Sequence, residues 1–389
     1  MPRPRSSRTM QKPVTPHGPN EQFTVQLAQH GLFLRGRGGK RLESRLANLS
    51  GLKLAGFDLS KSTLLACNLS QADLQRCRFV EADLSNSLFI GSDLKHCDFT
   101  RANLRGARFY KSDLQQAKLD GSDLRVGSFT LHRQGKNGDE VVSREYITDL
   151  SYCNMEEASL QDAVLRKARL RGVNLRNADL GSADLSDSDL TGVILLGARM
   201  QGANFLNANI AEAVFTVDDQ ARRIFHGLPA FQEHLKMLAE VDRIVARHEA
   251  WVESRGKEGQ RADFVGKALR GVDLRGRELS AISFRGADLT GAKLAHAKLA
   301  ASDFHAATLA YTDLSGADLR GASFENATLR HTVLEAADLG DLELARGGRL
   351  PARFGGATLE WVALTNVQVP PGRLDGATLR DCALPPLVG

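Results

Sequence analysis

The sequence predicts an all-β solenoid of square cross-section, with four five-residue units to each coil, in two blocks separated by a helical segment. Three observations carry this reading. First, large apolar residues recur every five positions: from Leu49 to Phe129 in seventeen consecutive slots, from Leu150 to Phe215 in fourteen, and again from Phe264 to Leu384. Second, a small or modest residue stands two places before each slot, as at Ala72, Cys77, Ala82, Ser87, Ser92, Cys97, Ala102 and Ala107, with a polar residue, often Asp or Asn, between the two. Third, phenylalanines recur at intervals of 20: Phe264, Phe284, Phe304 and Phe324 in one series, Phe79 and Phe99 in another, and Phe89, Phe109 and Phe129 in a third.

Each observation fixes one feature. Neither a helix nor a strand has a period of five, so the chain must turn once per unit and point two of every five side chains inward. Like residues stack when they return to the same face, so the phenylalanine interval means four units per coil. The large residue fills the interior, the small one fits the corner, and the remaining positions face solvent and turns. Coils then stack at the β-ladder spacing of about 4.8 Å, and each is stabilised only by its neighbours.

The residues carry a family resemblance. "ADLSNSLFIGSDLKHCDFTRANLRGARF" and "GADLTGAKLAHAKL" resemble the pentapeptide repeat proteins, whose consensus is A-[DN]-L-x-x, over about 280 residues. The resemblance implies a right-handed quadrilateral β-helix. It also implies a non-enzymatic interaction protein, in some members a modulator of DNA gyrase or topoisomerase acting through projecting loops or a DNA-like shape, and pairing through the C-terminal coil.

The expected organisation is a disordered basic tail (1–22), an N-terminal cap (23–41), a first solenoid (42–215), a helical linker and cap (216–261), a second solenoid (262–384) and a short tail (385–389). Three segments interrupt the repeats. Residues 130–147 are charged and hold Asn137-Gly138 at their centre, a turn between two extended arms; Arg133, Lys136, Asn137, Asp139, Glu140 and Arg144 are the partner-binding candidates there. Function concentrates in such projecting loops. Residues 216–261 carry Phe231, Leu235, Leu238, Val241, Val245 and Val252 at helical spacing, with Asp218 or Asp219 to cap a first helix, Pro229 to open a second, and Gly256 and Gly259 to end it. In "LARGGRLPARF" (344–354) slot 349 is Arg, and Leu350 is expected to replace it through a bulge.

The second interruption has a counterpart. "HEAWVESRGKEGQRADF" aligns with "HGLFLRGRGGKRLES", which has two residues fewer, matching His30 to His248, Phe33 to Trp251 and Arg41 to Arg261. The chain thus reads as two copies of a leader followed by a solenoid. Phe33 and Trp251 are expected to plug the floor of the first coil, with His30 and His248 as structural neighbours. Similar leaders resemble those of other bacterial members of the family.

Charge and composition narrow the function. The net charge is +5, but residues 1–48 hold nine Lys/Arg and two Asp/Glu, so the rest of the chain sums to −2. A DNA mimic needs a strongly acidic body, and nucleic acid is expected to meet only the basic tail. Arg35, Arg37, Lys40 and Arg41 could hold an anion, but "GRGGKR" lacks the glycine and hydroxyl of a phosphate loop. The five cysteines form no C-x-x-C pair, so a zinc ribbon is not indicated. Cys77 and Cys97, 20 apart, are read as buried thiols in adjacent coils. No nucleophile elbow, H-E-x-x-H or dinucleotide fingerprint occurs. No catalytic residue, cofactor or metal is expected, and no apolar run reaches the ~20 residues of a membrane span. The leading expectation is a cytoplasmic scaffold for an unknown protein partner, able to form a weak homodimer through its C-terminal coil; a secreted effector is the remaining alternative.

Overall fold

A computed structural model describes residues 21–135, 138–345, 347–364, 366–367 and 369–383, the side chains of Glu21 and of 131–142 excepted. The elements in chain order are α1 (Glu21–Leu34), β1 (Glu43–Arg45), β2 (Thr63–Leu65), β3 (Gly127–Gly135), β4 (Gly138–Tyr146), α2 (Asp219–Phe225), α3 (Pro229–Glu253), β5 (Thr328–Arg330), β6 (Leu342–Glu343), β7 (Arg349–Leu350), β8 (Thr358–Glu360) and β9 (Thr378–Arg380). The chain divides into two compact units. One runs to Ala211 and takes in Val217–Leu228; the other comprises Glu212–Thr216 and the chain from Pro229 onward.

Most of both units is coil stacked on coil through parallel bridges at a constant sequence interval, such as Asp73 to Asp93 to Asp113 and Asp263 to Ser283 to Asp303. One turn therefore takes four units. The slot residues form the core: Leu54, Leu74, Leu94 and Leu114 are fully buried, as are Phe284, Phe304 and Phe324. Phe79 stacks on Phe99 at 5.0 Å and Phe89 on Phe109 at 4.8 Å, and the two columns meet edge to face at 6.1–6.3 Å, an arrangement that favours aromatic pairs.

The unit Asp98–Ala102 shows why the repeat has its sequence. Buried backbone groups must be hydrogen-bonded, and all five N–H groups here are. Asp98 N–H donates to Cys77 O of the preceding coil, Phe99 and Arg101 N–H to Lys118 O and Asp120 O of the next, and Ala102 N–H to Phe99 O to close the corner. The fifth, Thr100 N–H, donates to the Asp98 side chain at 3.0 Å. The frequent Asp or Asn is thus a backbone acceptor, an Asx turn, and more than surface decoration. The same bond recurs at Asp58, Asp83, Asp113, Asp303 and Asp313. Several inward Ser, Cys and Thr side chains also find a carbonyl of the preceding coil: Ser92 donates to Leu69 O, Cys97 to Leu74 O and Thr312 to Leu289 O.

Two excursions correct the sequence register. Phe109 N–H donates to Asp149 O, so the coil after Phe109 places Leu150 where a regular count would place Phe129. Phe129 is therefore not a core slot: it lies on β3, half-buried, opposite Arg144. A pure count of fives placed it in the Phe89–Phe109 column because the hairpin begins at Gly127, three residues earlier than the charged segment suggested. Further on, Phe354 stacks on Phe324 at 4.8 Å, half a coil later in sequence than the period allows. The extra residues leave the coil there as the short hairpin β6–β7. Leu350 does not replace slot 349 in the core; Leu342 and Leu350 lie outside the coil over Gly321, where an added Cβ would come within 3.0–3.1 Å of them.

The helices follow their capping signals. Asp218 accepts Ala221 N–H at the start of α2, and α3 opens on Pro229. In the first unit, Phe225 of α2 packs edge to face on Phe205 at 5.1 Å. In the second, Phe231 of α3 packs against Phe215.

Candidate partner-binding surface

The longer of the two hairpin excursions from the coil is β3–β4, paired antiparallel from Gly127–Tyr146 to Gly135–Gly138. Its root is built into the coil. Thr148, fully buried, occupies the small inward position before Leu150, where its hydroxyl donates to Arg125 O at 2.8 Å and accepts Gly106 N–H at 2.9 Å. Asn86 donates to Ser128 O at 3.2 Å. Gly106 has φ 68°, and a Cβ there would stand 2.3 Å from Asn86 Oδ1 and 3.1 Å from both Gly127 and Tyr146. Both glycines permit the ribbon to cross the coil closely.

The predicted hairpin residues are distributed as follows. Arg133 stands opposite Glu140 and Gln134 opposite Asp139 in the register, and Arg144 is exposed opposite Phe129. Lys136 and Asn137 lie outside the described residues.

Beside the root stands a group that sequence reasoning missed. Tyr110 and Tyr152 meet edge to face at 5.7 Å, and Lys111 Nζ lies 5.4 Å from the Tyr110 ring. Tyr152 is 55% exposed. Its ring crosses Gly172, where a Cβ would be 2.8 Å from it. The two tyrosines are about two coils apart by sequence count, and only the corrected step from Phe109 to Leu150 shows that they sit on neighbouring coils. On the other side of the root, Arg105 and Arg125 share Asp123 at 3.1 and 2.7 Å. Burial works to raise the Asp123 carboxyl, but hydrogen bonds and charge from the two arginines outweigh it and hold the group below its ordinary range. Tyrosine and arginine are the residue types enriched in protein interfaces.

The leader residues are placed differently from expectation. His30 and His248 are buried, whereas Phe33 is 37% exposed and Trp251 half-buried. The histidines, and not the larger aromatic residues, are the buried members of each pair, and Phe33 and Trp251 stack on them at 5.9 and 5.7 Å. Arg41 pairs with Glu43 at 2.6 Å, while Arg35, Arg37 and Lys40 are exposed around the turn that ends α1. Tail residues 1–20 lie outside the described residues.

No catalytic constellation emerges among the described residues. In that part of the chain no group of three or more His, Cys, Asp or Glu could hold a metal, and no helix is long and apolar enough to cross a membrane. Cys77 and Cys97 are buried, unbridged thiols. Burial pushes Cys77 up to about 12 and Cys97 higher still, which makes both poor nucleophiles.

A family model described as pentapeptide repeats matches the chain in eight copies, over residues 45–79, 67–106, 87–125, 148–181, 183–216, 268–305 and 302–341. The chain belongs to the pentapeptide repeat family. Among solved structures it is similar to HetL, a pentapeptide repeat protein involved in heterocyst differentiation regulation from the cyanobacterium Nostoc sp. strain PCC 7120. Identity is 23%, covering 88% of this chain and 97% of that one, with a TM-score of 0.29. Similarity to full-length QnrB1, a plasmid-mediated fluoroquinolone resistance protein, is 20% over 48% of this chain and 99% of that one, with a TM-score of 0.19. For Rfr23 from the cyanobacterium Cyanothece 51142 the values are 19%, 50%, 99% and 0.16. No curated protein matches. As a pentapeptide repeat protein, the chain is a solenoid-like repeat protein of a kind associated with protein binding.

Proposed function

We propose that this pentapeptide repeat protein is a non-enzymatic scaffold that recognises a protein partner at the root of the β3–β4 hairpin. The observation that carries the reading is the Tyr110–Lys111–Tyr152 group, with Lys111 and Tyr152 exposed and Tyr110 half-buried, beside a ribbon that leaves an otherwise uniform coil. The coil is right-handed and quadrilateral in this reading, and α1 and α3 cap the first coils of two successive solenoids. The site of action is the cytoplasm, and the last coil supports weak self-association.

The test removes the hairpin without disturbing the coil. Deleting 127–147 brings Leu150 back to the regular one-coil spacing from Phe109. Val126 then meets Thr148, which already occupies a regular inward position; Val126→Gly relieves the left-handed corner, which β-branched residues disfavour. Captures from nuclease-treated cell extract are compared for the intact chain, the deletion and Tyr110→Ala/Tyr152→Ala. A specific protein held by the intact chain and lost from both variants is the expected result. A partner retained equally by all three would overturn the assignment of the surface.

A further inference from the structure

The two leader helices dock through the same three positions. Phe23, Leu27 and His30 of α1 are buried, and so are Val241, Val245 and His248 of α3. The offset in sequence from the first helix to the second is identical at all three positions. In both units the histidine makes the link to the coil. His30 Nδ1 accepts Leu42 N–H at 3.0 Å, and His248 Nδ1 accepts Ala262 N–H at 3.2 Å. The donor lies 12 positions after the first histidine and 14 after the second, which reproduces the difference in length between the leaders. Leu42 and Ala262 are themselves buried, so each amide depends on the ring for its partner.

An imidazole accepts a hydrogen bond only on an unprotonated nitrogen. The proton of the neutral ring must then sit on Nε2, which is buried in both residues and has no well-formed partner. A second proton would have to enter at Nδ1, directly opposite an N–H donor, and would place a charge in a buried site. Both effects oppose docking.

We propose that His30 and His248 are a pair of acid-operated latches, each holding a leader helix on its first coil while neutral and releasing it when protonated. Release leaves Leu42 or Ala262 N–H unbonded and uncovers the start of the coil, where an unpaired strand edge can accept another strand. The device is independent of the hairpin surface.

The surroundings set the direction. For His30, burial is the largest influence and disfavours the charged ring; the Ser60 carbonyl and Asp58 oppose it, and Arg41 reinforces it. For His248, burial again dominates; the Ser280 carbonyl, Glu278 and Glu249 oppose it, and Arg261 reinforces it. Both rings are held below the ordinary histidine value. A released leader has a histidine titrating near about 6.5, so it binds more protons than the docked one below that pH. Docking is therefore complete above about 6.5 and weakens as pH falls through the docked value.

Amide hydrogen exchange on the full chain tests this, with each rate corrected for its intrinsic pH dependence. Between pH 6.5 and 5, protection of residues 21–42 and 229–262 should fall by up to about tenfold per pH unit, the limit for one proton per leader. Residues 64–124 and 284–334 should keep theirs. The double variant His30→Asn/His248→Asn offers an acceptor oxygen at the Nδ1 position that does not titrate, and its leaders should stay protected throughout. Leader protection that is flat with pH in the natural chain, or falls equally in the variant, would overturn the proposal. Should the variant leaders fail to dock at pH 7.5, nitrogen-15 histidine spectra of the natural chain decide. Two rings protonated on Nε2 at pH 7 and titrating below 6.5 support the latch; rings titrating at or above 6.5 refute it.

Discussion

Asp98 allows the role of the repeat's commonest polar residue to be separated into charge and geometry. Its Oδ1 accepts Thr100 N–H at 3.0 Å and the Thr100 hydroxyl at 2.6 Å. Asp98→Asn keeps an acceptor oxygen in the same place and removes only the charge. Asp98→Ala removes the acceptor and leaves the fifth N–H of the unit without a protein partner. A backbone hydrogen bond contributes about 0.5–1.5 kcal/mol net, and the corner is partly solvated, so water recovers part of the loss for Asp98→Ala. The expected cost is about 1 kcal/mol for Asp98→Ala and under about 0.5 kcal/mol for Asp98→Asn. A repeat array distributes such a cost over neighbouring coils, and both tryptophans lie in the second unit. The appropriate readout is therefore amide exchange of residues 79–119. About fivefold faster exchange is expected in Asp98→Ala, since about 1.4 kcal/mol corresponds to tenfold. Equal losses in Asn and Ala would assign the effect to charge and refute the Asx-turn account; no loss in either would show that the bond stabilises nothing.

Three further predictions concern packing, the hairpin root and acid. Phe99, which touches Phe79, Phe89 and Phe109, should lose about 3–5 kcal/mol as Phe99→Ala. Phe99→Leu, the commoner slot residue, should lose well under half of that; urea unfolding followed by circular dichroism compares the two. Gly106→Ala places a Cβ against Asn86 Oδ1 at a left-handed backbone position. It should destabilise the root by about 1–2 kcal/mol, seen as faster proteolysis within 127–146 while residues 49–99 stay resistant. Glu249 receives Arg277 at 2.7 and 3.0 Å, and these hydrogen bonds hold its carboxyl below the ordinary range. The stability this contributes is full above about pH 4.3 and is lost as pH falls through the depressed value. Glu249→Gln should therefore weaken α3 docking at pH 7 and flatten its dependence below pH 4.5, a range distinct from the histidine window.

Much of the fold was legible because the repeat obeys a strict local rule. A slot residue's role depends on its place in five and a coil's composition on its place in twenty, so the phenylalanine intervals alone revealed the number of units per turn. The same regularity misled where the chain left the coil. Phe129 continues the count of fives without belonging to the core, and Leu350 looked like a displaced slot when it packs outside the coil over Gly321. A period carries no mark of where an excursion begins; Gly127 and Thr148 mark it only through contacts across coils. The partner-binding candidates suffered likewise. The charged hairpin is visible as a break in the pattern, but Tyr110 and Tyr152 are neighbours only once the whole excursion is discounted. The Asp and Asn residues were legible in position and not in role, because an Asx bond forms within one unit and leaves no longer-range trace in the sequence.

As caps, the role proposed for them, the leaders would answer a problem that repetition creates. Every interior coil finds its hydrogen-bond partners one coil away on both sides, but a first coil has no predecessor. Leu42 N–H and Ala262 N–H stand at the small inward position, whose N–H in an interior unit closes the corner on the slot carbonyl three residues earlier, as Ala102 does on Phe99 O; ahead of these two the chain is leader and not repeat, and the histidine is the acceptor instead. A histidine is an unusual substitute. Asparagine, already abundant in the repeats, would supply an acceptor with less volume and no titration. Imidazole adds a flat ring on which Phe33 or Trp251 can stack, and so joins hydrogen bonding to packing at one position. The cost is sensitivity to acid, which the rest of the coil escapes: its acceptors are carbonyls and carboxylates that keep their bonds well below pH 6.5. Two leaders using the same ring, an amide at the equivalent position and an aromatic stacking partner three residues on make the choice a property of the module, and the asparagine variants ask whether packing or titration is the reason for it.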